Sequence, residues 1–472
     1  MKPLATLCIF LLFCGALCAA ERPNIVVFLC DDLGYGDLSC YGNKTIQTPN
    51  LDRLATAGIR FTDFYSTSPV CSASRAGLLT GRTPSRIGVY DWIPADHTMH
   101  LLKSETTFAA VLKNGGYDTA LCGKWHCNGK FASSEQPQPN DHGFDHWFAT
   151  QNNAAPSHHN PNNFVRNGTN VGQLEGYSCQ LVVDEAMNWL DGRSTKDRPF
   201  ALLVTFHEPH EPIASPPELV EKYKEIGATK PGEAEYYANV ENMDAAVGRL
   251  VEYLKQKNLW ENTLTFFTSD NGPETLNRYR GAERSHGTPG ELRGMKLWMY
   301  EGGYRVPGIA VWPKMIKPEQ VSHAPVGAID FFPTFCSVAK IDPPKDRVYD
   351  GTNLLPLFQT GVLNRTKPLF WYYINALGEP RVSIRDGDWK LVATLQGNPR
   401  PPRGPGAAHS SEWLAVIKTA NLDRFELYNL ADDHREQTEL GTKEPERFKE
   451  MKQKMESLVD GIRRDAPLWT TP

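Results

Sequence analysis

Short apolar segments that end in polar side chains recur along this chain, and this pattern limits the folds available to it. One segment begins at Asn24 and leads into Asp31 and Asp32, and another leads into Asp270 and Asn271. Apolar segments of this length, separated by stretches with helical periodicity, are typical of parallel strands in an α/β sheet. Because ligands of such sheets bind at the carboxyl ends of the strands, we expect a functional site there.

The four polar residues at these two strand ends provide carboxylate and amide oxygens. Asp31 and Asp32 would repel each other unless a cation or solvent lay between them. Oxygen donors favour Ca²⁺ or Mg²⁺ over Zn²⁺. The sequence therefore indicates a site for a hard divalent cation, and a solvated turn is the alternative for the Asp31–Asp32 pair taken by itself.

Cys71 stands between a short β-rich segment and a stretch of helix-forming residues. The small and apolar residues from Ser74 onward predict a helix with Arg75 in its first turn. Free backbone N–H groups at a helix start suit an anion, and the Arg75 guanidinium adds a permanent forked donor. Cys71 is therefore a candidate nucleophile in an anion site, and a buried structural cysteine beside a surface arginine is the alternative.

Two further apolar segments end in basic and imidazole side chains. Side chains alternate along a strand, so the first pattern predicts that Lys124 and His126 share one face, where they could bind an anion and transfer a proton. An edge strand with a solvated lysine is the alternative. The second segment ends in His207-Glu-Pro-His210-Glu-Pro, whose prolines favour a stiff, extended exit from the sheet and oppose the helical zinc-protease geometry.

The loops are expected to cover the site. Residues 133–170, rich in Pro, Asn and Ser, have the composition of long loops. A basic stretch ahead of Lys296 contains Arg278, Arg280 and His286. It could contact a polyanionic or sugar substrate, and a solvated loop face is the alternative.

Length and charge set the domain organisation and exclude one class of partner. A chain of 472 residues is longer than chains that fold around a single hydrophobic core usually are. We therefore expect a catalytic domain over 21–365 and a smaller α+β domain over 366–472. The second is built on a short antiparallel sheet, because Asp386-Gly387 is a strong hairpin signal between short strands. A formal net charge of -5 argues against a general nucleic-acid-binding protein.

Residues 1–20 have the features of an export signal. Lys2 precedes an apolar core, and small residues precede Glu21. The apolar run is too short for a membrane anchor, so we predict an exported protein, periplasmic or secreted, without membrane attachment after the signal is removed. Three of the ten cysteines lie in this segment, which leaves seven, an odd number.

Several motif blocks, from Pro23 to about Leu440, resemble those of the type I sulfatase family. The family signature C-x-[PA]-S-R followed by T-G-R matches 71–82, with Ala73 in place of the commoner proline, a form found among bacterial members. The strand ending in Asp31-Asp32, G-K-W-H at 123–126, S-D-N-G at 269–272 and E-G-G-x-R-V-P at 301–307 match further family blocks.

This resemblance implies a fold, a reaction and a modified residue. The fold is alkaline-phosphatase-like α/β, with a large mixed, mostly parallel sheet flanked by helices. The reaction is hydrolysis of a sulfate ester. The cysteine at position 71 is converted to formylglycine by a maturation enzyme, and its hydrate is the nucleophile. That conversion would leave six thiols in the exported chain.

The resemblance also implies the roles of individual residues. The implied catalytic residues are Cys71, Arg75, Lys124, His126, His210 and Lys296. The implied ligands of Ca²⁺, with Mg²⁺ as the alternative, are Asp31, Asp32, Cys71, Asp270 and Asn271. The candidates for substrate contacts are His207, Arg278, Arg280 and His286.

The same resemblance implies a class of substrate and leaves two alternative functions. The blocks around Asn271 and Lys296 look most like those of bacterial polysaccharide or glycosaminoglycan sulfatases, which implies a sulfated saccharide, with galactose or N-acetylgalactosamine sulfate expected. One alternative is a phosphatase or phosphodiesterase of the same superfamily, which would normally add histidine metal ligands and a Ser or Thr nucleophile. The other is an inactive sulfated-glycan-binding relative, which would lack the nucleophile, the base or the lysines.

Overall fold

The computed structural model describes residues 22–402, 410–467 and 469. The export signal expected over 1–20 lies outside these residues. None of the helices described combines the length and the hydropathy that a membrane span requires. The seven cysteines of the described residues are all free thiols.

A ten-stranded sheet forms the centre of the larger part of the molecule. The strands of this part are β1 (Asn24–Cys30), β2 (Ile59–Phe61), β3 (Phe64–Tyr65), β4 (Asp118–Lys124), β5 (His146–Thr150), β6 (Val165–Arg166), β7 (Thr169–Asn170), β8 (Phe200–Thr205), β9 (Thr263–Ser269), β10 (Gly308–Val311), β11 (Gln320–Ser322) and β12 (Val326–Gly327). The sheet order is β11-β2-β10-β9-β1-β8-β4-β5-β6-β7, and β3 and β12 pair separately.

The central strands β9-β1-β8-β4-β5 are all parallel, whereas β10, β6 and β7 run antiparallel to a neighbour. Parallel strands need helical crossovers that cover both faces, and this explains the nearly continuous apolar strand sequences. The expected mixed, mostly parallel sheet is confirmed. Strands β5, β6 and β7 fall within 133–170, so the expectation of loops alone over that stretch was wrong.

Helices cover both faces of the sheet. They are α1 (Pro49–Thr56), α2 (Cys71–Thr80), α3 (Phe108–Asn114), α4 (Ser178–Gly192), α5 (Pro217–Glu225), α6 (Glu233–Gln256), α7 (Glu301–Tyr304), α8 (Phe331–Val338), α9 (Leu355–Thr360), α10 (Ser411–Thr419) and α11 (Pro445–Asp465). Alternate residues of β1 divide between two cores: Ile25 and Val27 pack with α2, α3 and α8, and Val26 and Phe28 with α1, α4 and α6. The alternation follows from the two-residue period of a strand.

The C-terminal part contains the expected small antiparallel sheet. Its strands are β13 (Leu369–Ala376), β14 (Glu379–Asp386), β15 (Trp389–Leu395) and β16 (Leu422–Asn429), in that spatial order. Side chains of this sheet and of α11 belong to the same apolar cluster as α2 and α8, so both parts share a core. The domain boundary near residue 365 stays a prediction.

A carboxylate on α6 caps the start of α1. The Asp244 carboxylate accepts hydrogen bonds from the backbone N–H of Asn50 at 3.1 Å and of Leu51 at 2.8 Å. The first N–H groups of a helix have no partner within the helix, so this contact both satisfies them and joins two helices. Asp244 is 1 % exposed, and water cannot take its place without local opening.

We expect Asp244→Ala to lower the free energy of unfolding by about 1–2 kcal/mol, because two N–H groups lose their acceptor. Denaturant unfolding followed by circular dichroism measures the change. The control is Asp184→Ala, whose exposed pair with Arg249 should contribute less than about 1 kcal/mol. Equal losses for the two variants would contradict the capping role.

Candidate active site

The polar residues predicted at the strand ends meet at one edge of the sheet. Asp31 follows β1, Asp270 follows the adjacent β9, and Lys124 ends β4, two strands away on the other side. Backbone hydrogen bonds extend the pairing past the strands, from Asp270 N to Cys30 O at 3.0 Å and from Asp31 N to Glu208 O at 3.1 Å. The strand ends therefore fix these side chains relative to one another.

Cys71 is the first residue of α2, with Val70 in extended conformation before it. The expected start at Ser74 was wrong: the helix begins three residues earlier, because Ser74 N already donates to Val70 O at 2.9 Å. Arg75 consequently lies in the second turn. Burial raises the pKa of the Cys71 thiol to about 11, against the opposing charges of Lys124 and Lys296. The unmodified thiol is thus protonated at neutral pH and a weak nucleophile.

Three buried carboxylates at this edge are each paired with a buried cation. Lys124 Nζ lies 2.6 Å from Asp31 Oδ2, and Lys296 Nζ lies 2.7 Å from Asp32 Oδ1. Arg75 Nε donates to Asp270 Oδ2 at 2.8 Å. Burial opposes ionisation, yet the Lys124 charge and its neighbours hold the pKa of Asp31 well below its usual range. The edge is therefore a densely charged but balanced cluster.

The segment that carries Lys296 packs closely against the end of β9. Lys296 N donates to Pro273 O at 2.9 Å, and Gly272 N donates to Gly303 O at 2.9 Å. A Cβ atom on Gly272 would lie 1.9 Å from the backbone O of Gly302, so a side chain there would separate the two segments. The glycines of these two motifs thus permit the approach that brings Lys296 to Asp32.

Two oxygen atoms of the same cluster have no hydrogen-bond partner within the described residues. Asp31 Oδ1 and Asn271 Oδ1 are buried and accept no hydrogen bond within the described residues. Ligand atoms of Asp31, Asp32 and His210 all lie within 4.8 Å of one another, and His210 Nε2 is 3.5 Å from Asp32 Oδ2. Orphaned carboxylate and amide oxygens fit a hard divalent cation, with His210 as a neighbour that the sequence did not indicate as a ligand.

His126 lies beyond β4 and not on it. Its φ of 52° is left-handed, so the expected strand alternation with Lys124 was wrong, although both side chains are buried in the same cluster. His126 Nε2 lies 3.1 Å from Ile93 O, and because a carbonyl only accepts, Nε2 carries the proton. Burial and the Lys124 charge lower the pKa of His126 well below its usual range. The imidazole is therefore neutral, and its Nδ1, which carries the lone pair, has no hydrogen-bond partner within the described residues.

The two histidines after β8 occupy different positions. His210 Nδ1 donates to Glu211 O at 2.5 Å, which leaves Nε2 toward Asp32, and burial lowers the pKa of His210 against the opposing charge of Asp32. His207 is buried away from the cavity, with Nε2 2.8 Å from Thr150 Oγ1. His210 therefore lies among the residues that line the cavity, whereas His207 does not.

A cavity of about 400 Å³ opens above this cluster. Its lining includes Cys71, His126, His210, Lys296 and Arg278 from the predicted set. Arg280 is exposed and lies outside the cavity. His286 also lies outside it, and its Nε2 is 2.8 Å from Pro231 O. The remaining lining residues, which were not among the predicted site residues, are Val70, Trp92, Asn152, Asn153, Glu274, Tyr279, Leu297, Tyr373 and Asn375. Val70 and Leu297 are next to Cys71 and Lys296 in the sequence, whereas most of the others come from separate loops and from β13, where no local motif marks them.

Comparison with known proteins identifies the class to which this fold and site belong. A family model described as Sulfatase matches residues 23–341, and a model described as N-sulphoglucosamine sulphohydrolase, C-terminal, matches residues 294–398. The chain belongs to the sulfatase family, and it is an enzyme of the sulfatase class.

Curated relatives and solved structures agree with this assignment. Human N-acetylgalactosamine-6-sulfatase is 35% identical over 382 residues, 76% of this chain and 70% of that protein. Human arylsulfatase A is 33% identical over 459 residues, covering 89% of this chain and 86% of that protein. The structure of Ps i-CgsB in complex with k-i-k-neocarrahexaose superposes with a TM-score of 0.79 at 26% identity, covering 96% of this chain and 95% of that one.

We expect Arg75→Ala to destabilise the protein by about 3–5 kcal/mol, because Asp270 would remain buried without its cation. The Arg75 and Asp270 side chains are 3% and 0% exposed. Thermal and denaturant unfolding measure the loss, with Arg249→Ala as the control, since that arginine forms an exposed pair. A loss no greater than that of the control would show that the Arg75–Asp270 pair contributes no net stability.

Proposed function

We propose that this sulfatase removes sulfate from a sulfated saccharide, with galactose or N-acetylgalactosamine sulfate as the expected unit. The observation that carries the proposal is the placement of Arg75, Lys124 and Lys296 around position 71 below a cavity of about 400 Å³. Three buried cations suit a sulfate group, and the cavity is large enough for a sugar ring. Two relatives support the saccharide: the N-acetylgalactosamine-6-sulfatases and the structure solved with a neocarrahexaose.

We propose formylglycine at position 71 and Ca²⁺, with Mg²⁺ as the alternative, as the groups that complete the site. The hydrated aldehyde supplies an oxygen nucleophile and the cation supplies positive charge beside it. The proposed cation ligands are Asp31, Asp32, Asp270, Asn271 and residue 71. Support comes from the buried oxygens of Asp31 and Asn271, which accept no hydrogen bond within the described residues. Support for the modification comes from the match of residues 71–82 to the family signature C-x-[PA]-S-R followed by T-G-R, within a chain of the sulfatase family.

The cationic side chains bind and orient the sulfate. Each lysine ammonium has three N–H donors, so Lys124 and Lys296 can keep their carboxylate partners and still donate to sulfate oxygens. Arg75 Nε donates to Asp270 and Nη1 donates to the Lys124 carbonyl. Nη2 lies 2.8 Å from Asp270 Oδ2 and 4.0 Å from Asp31 Oδ1, and it makes no hydrogen bond within the described residues. These groups stabilise the negative charge that develops on the sulfuryl oxygens in the transition state.

Two histidines move the protons. His126 is neutral and lines the cavity that holds position 71, and its buried Nδ1 has no hydrogen-bond partner within the described residues. This nitrogen would accept a proton from the second hydroxyl group of the hydrated residue 71. His210 lines the same cavity with its Nε2 nitrogen beside Asp32, and it donates a proton to the departing sugar oxygen. Burial lowers the pKa of His210, and the Asp32 carboxylate opposes this lowering by favouring the charged imidazolium that the donation requires.

The residues present favour a sulfatase over the two alternatives. A phosphatase of the same superfamily would normally have a Ser or Thr nucleophile, and position 71 is a cysteine. An inactive glycan-binding relative would lack the nucleophile, the base or the lysines, and all of these residues are in place here. We further propose that the chain is exported, through residues 1–20, and that a maturation enzyme converts Cys71.

We expect the matured protein to hydrolyse galactose or N-acetylgalactosamine carrying a 4- or 6-sulfate, and to leave the matching phosphates intact. Cys71→Ala should lower this activity by a factor of about 10³ or more, because the nucleophile is lost. Released sulfate measures turnover, and peptide mass spectrometry across position 71 should show an aldehyde. Cys40→Ala, in a half-buried cysteine away from the cavity, is the control. Full activity with an unmodified thiol would overturn the proposed nucleophile.

We expect Ca²⁺ to raise the thermal midpoint of the chelator-treated protein, because a ligand that binds only the folded state stabilises it. Asn271→Ala should reduce this shift, since Asn271 Oδ1 is one of the orphaned oxygens. Asn353→Ala, in an asparagine whose amide bonds Ser337 far from the cluster, should leave it unchanged. Chelation should also remove turnover, and Ca²⁺ should restore it. An identical shift in both variants would contradict the assigned ligand.

A further inference from the structure

Two aromatic side chains are exposed at the mouth of the cavity. Trp92 is 43% exposed and Tyr279 is 36% exposed. Of the large apolar side chains that the described residues expose, these two line the cavity above position 71. Aromatic surface that faces a cavity is typical of a site for a ligand with an apolar face.

The backbone of Trp92 is fixed on one side by a buried carboxylate. Asp91 is 1% exposed, and its Oδ1 accepts from Trp92 N at 2.8 Å and from the Tyr373 hydroxyl at 2.9 Å. Its Oδ2 accepts from Asn375 Nδ2 at 3.4 Å. Tyr373 and Asn375 belong to β13, so the C-terminal sheet sets the position of this turn.

The other side of Trp92 is joined to the proposed catalytic residues. Ile93 N donates to Ser72 Oγ at 2.9 Å, directly after position 71 in α2. Ile93 O accepts from His126 Nε2 at 3.1 Å. The indole is thus an exposed ring on a backbone held relative to both position 71 and the proposed base. A ligand that stacks on it requires little further ordering.

Tyr279 lies on a separate loop, next to a residue that forms an ion pair. The Arg278 guanidinium lies 5.0 Å from the centroid of the Tyr279 ring. Its Nε and Nη2 donate to the buried Glu274 carboxylate at 2.6 and 2.7 Å, and Glu274 also lies 3.7 Å from Lys296 Nζ. Tyr279 is therefore connected to Lys296 through Arg278 and Glu274, whereas Trp92 is connected to His126 through its neighbour Ile93.

We infer that Trp92 and Tyr279 bind the pyranose ring that carries the sulfate, and that Trp92 is the main determinant of sugar affinity. A pyranose presents an apolar C–H face, whose partial positive charge complements the negative face of an aromatic ring. Its hydroxyl groups find acceptors such as Asn152 Oδ1, which is buried and has no partner within the described residues. The inference rests on the proposed function and extends it to the residues that recognise the sugar.

The kinetic test compares variants on N-acetylgalactosamine 6-sulfate and galactose 6-sulfate. Trp92→Ala should lower kcat/KM by about tenfold or more, mainly through KM, because stacking binds the ground state and the transition state alike. Trp92→Phe keeps a ring and should lie within about threefold of the parent protein. Leu377→Ala, in an exposed leucine outside the cavity, is the control. Unchanged KM in Trp92→Ala would overturn the inference.

A binding test separates this inference from the proposed function. Calorimetry on the non-turnover variant Cys71→Ala, with and without Trp92→Ala, measures the affinity for the sugar sulfates and for inorganic sulfate. A tenfold loss for the sugar sulfate, with inorganic sulfate unchanged, supports stacking even if the parent protein hydrolyses neither sugar. Equal losses for both ligands, or equal affinities with and without Trp92, overturn stacking even if turnover is observed. If neither sugar sulfate binds, both the stacking inference and the proposed function are overturned.

Discussion

The structure depends on the neutralisation of three carboxylates at the carboxyl edge of the sheet. Asp31, Asp32 and Asp270 are at most 3% exposed, and so many negative charges could not be buried together without partners. Their cations come from three separate parts of the chain: α2, the end of β4 and the segment before α7. Each cation thus ties a distant element to the strand ends. The same arrangement leaves cationic N–H donors around position 71, which is what an anionic substrate requires.

Buried ion pairs of the C-terminal sheet stabilise the chain segment next to Lys296. Lys390 on β15 is fully buried and contacts Glu301 at 2.9 Å and Glu436 at 2.6 Å. Glu436 also accepts from Glu301 N at 2.7 Å. Glu301 begins α7, immediately after the segment that carries Lys296. The small sheet therefore does more than cover the core, because its buried ion pairs hold the segment that carries Lys296, one of the two lysines proposed to bind sulfate.

The fold and the centre of the site could be predicted from the sequence because both depend on local patterns. A buried parallel strand and the residues at its end are contiguous in the sequence. The apolar strand sequences therefore predicted that Asp31, Asp270 and Lys124 lie at strand ends. The helix start at Cys71 was missed because Val70, an apolar residue, occupies the N-cap position, where a polar side chain would mark the boundary. The position of His126 was missed because a left-handed residue breaks strand alternation without a glycine or asparagine to signal it.

The wall of the cavity could not be predicted because long-range contacts create it. Trp92 belongs to the site only because Asp91 meets Tyr373 and Asn375, which follow it by more than 280 positions in the sequence. Glu274 belongs to it only because Lys296 and Arg278 converge on its carboxylate. The reaction and the recognition of substrate therefore have different physical origins in this chain. Strand ends fix the groups that we propose to bind sulfate, whereas contacts between loops and the C-terminal sheet place the groups that we propose to contact the sugar.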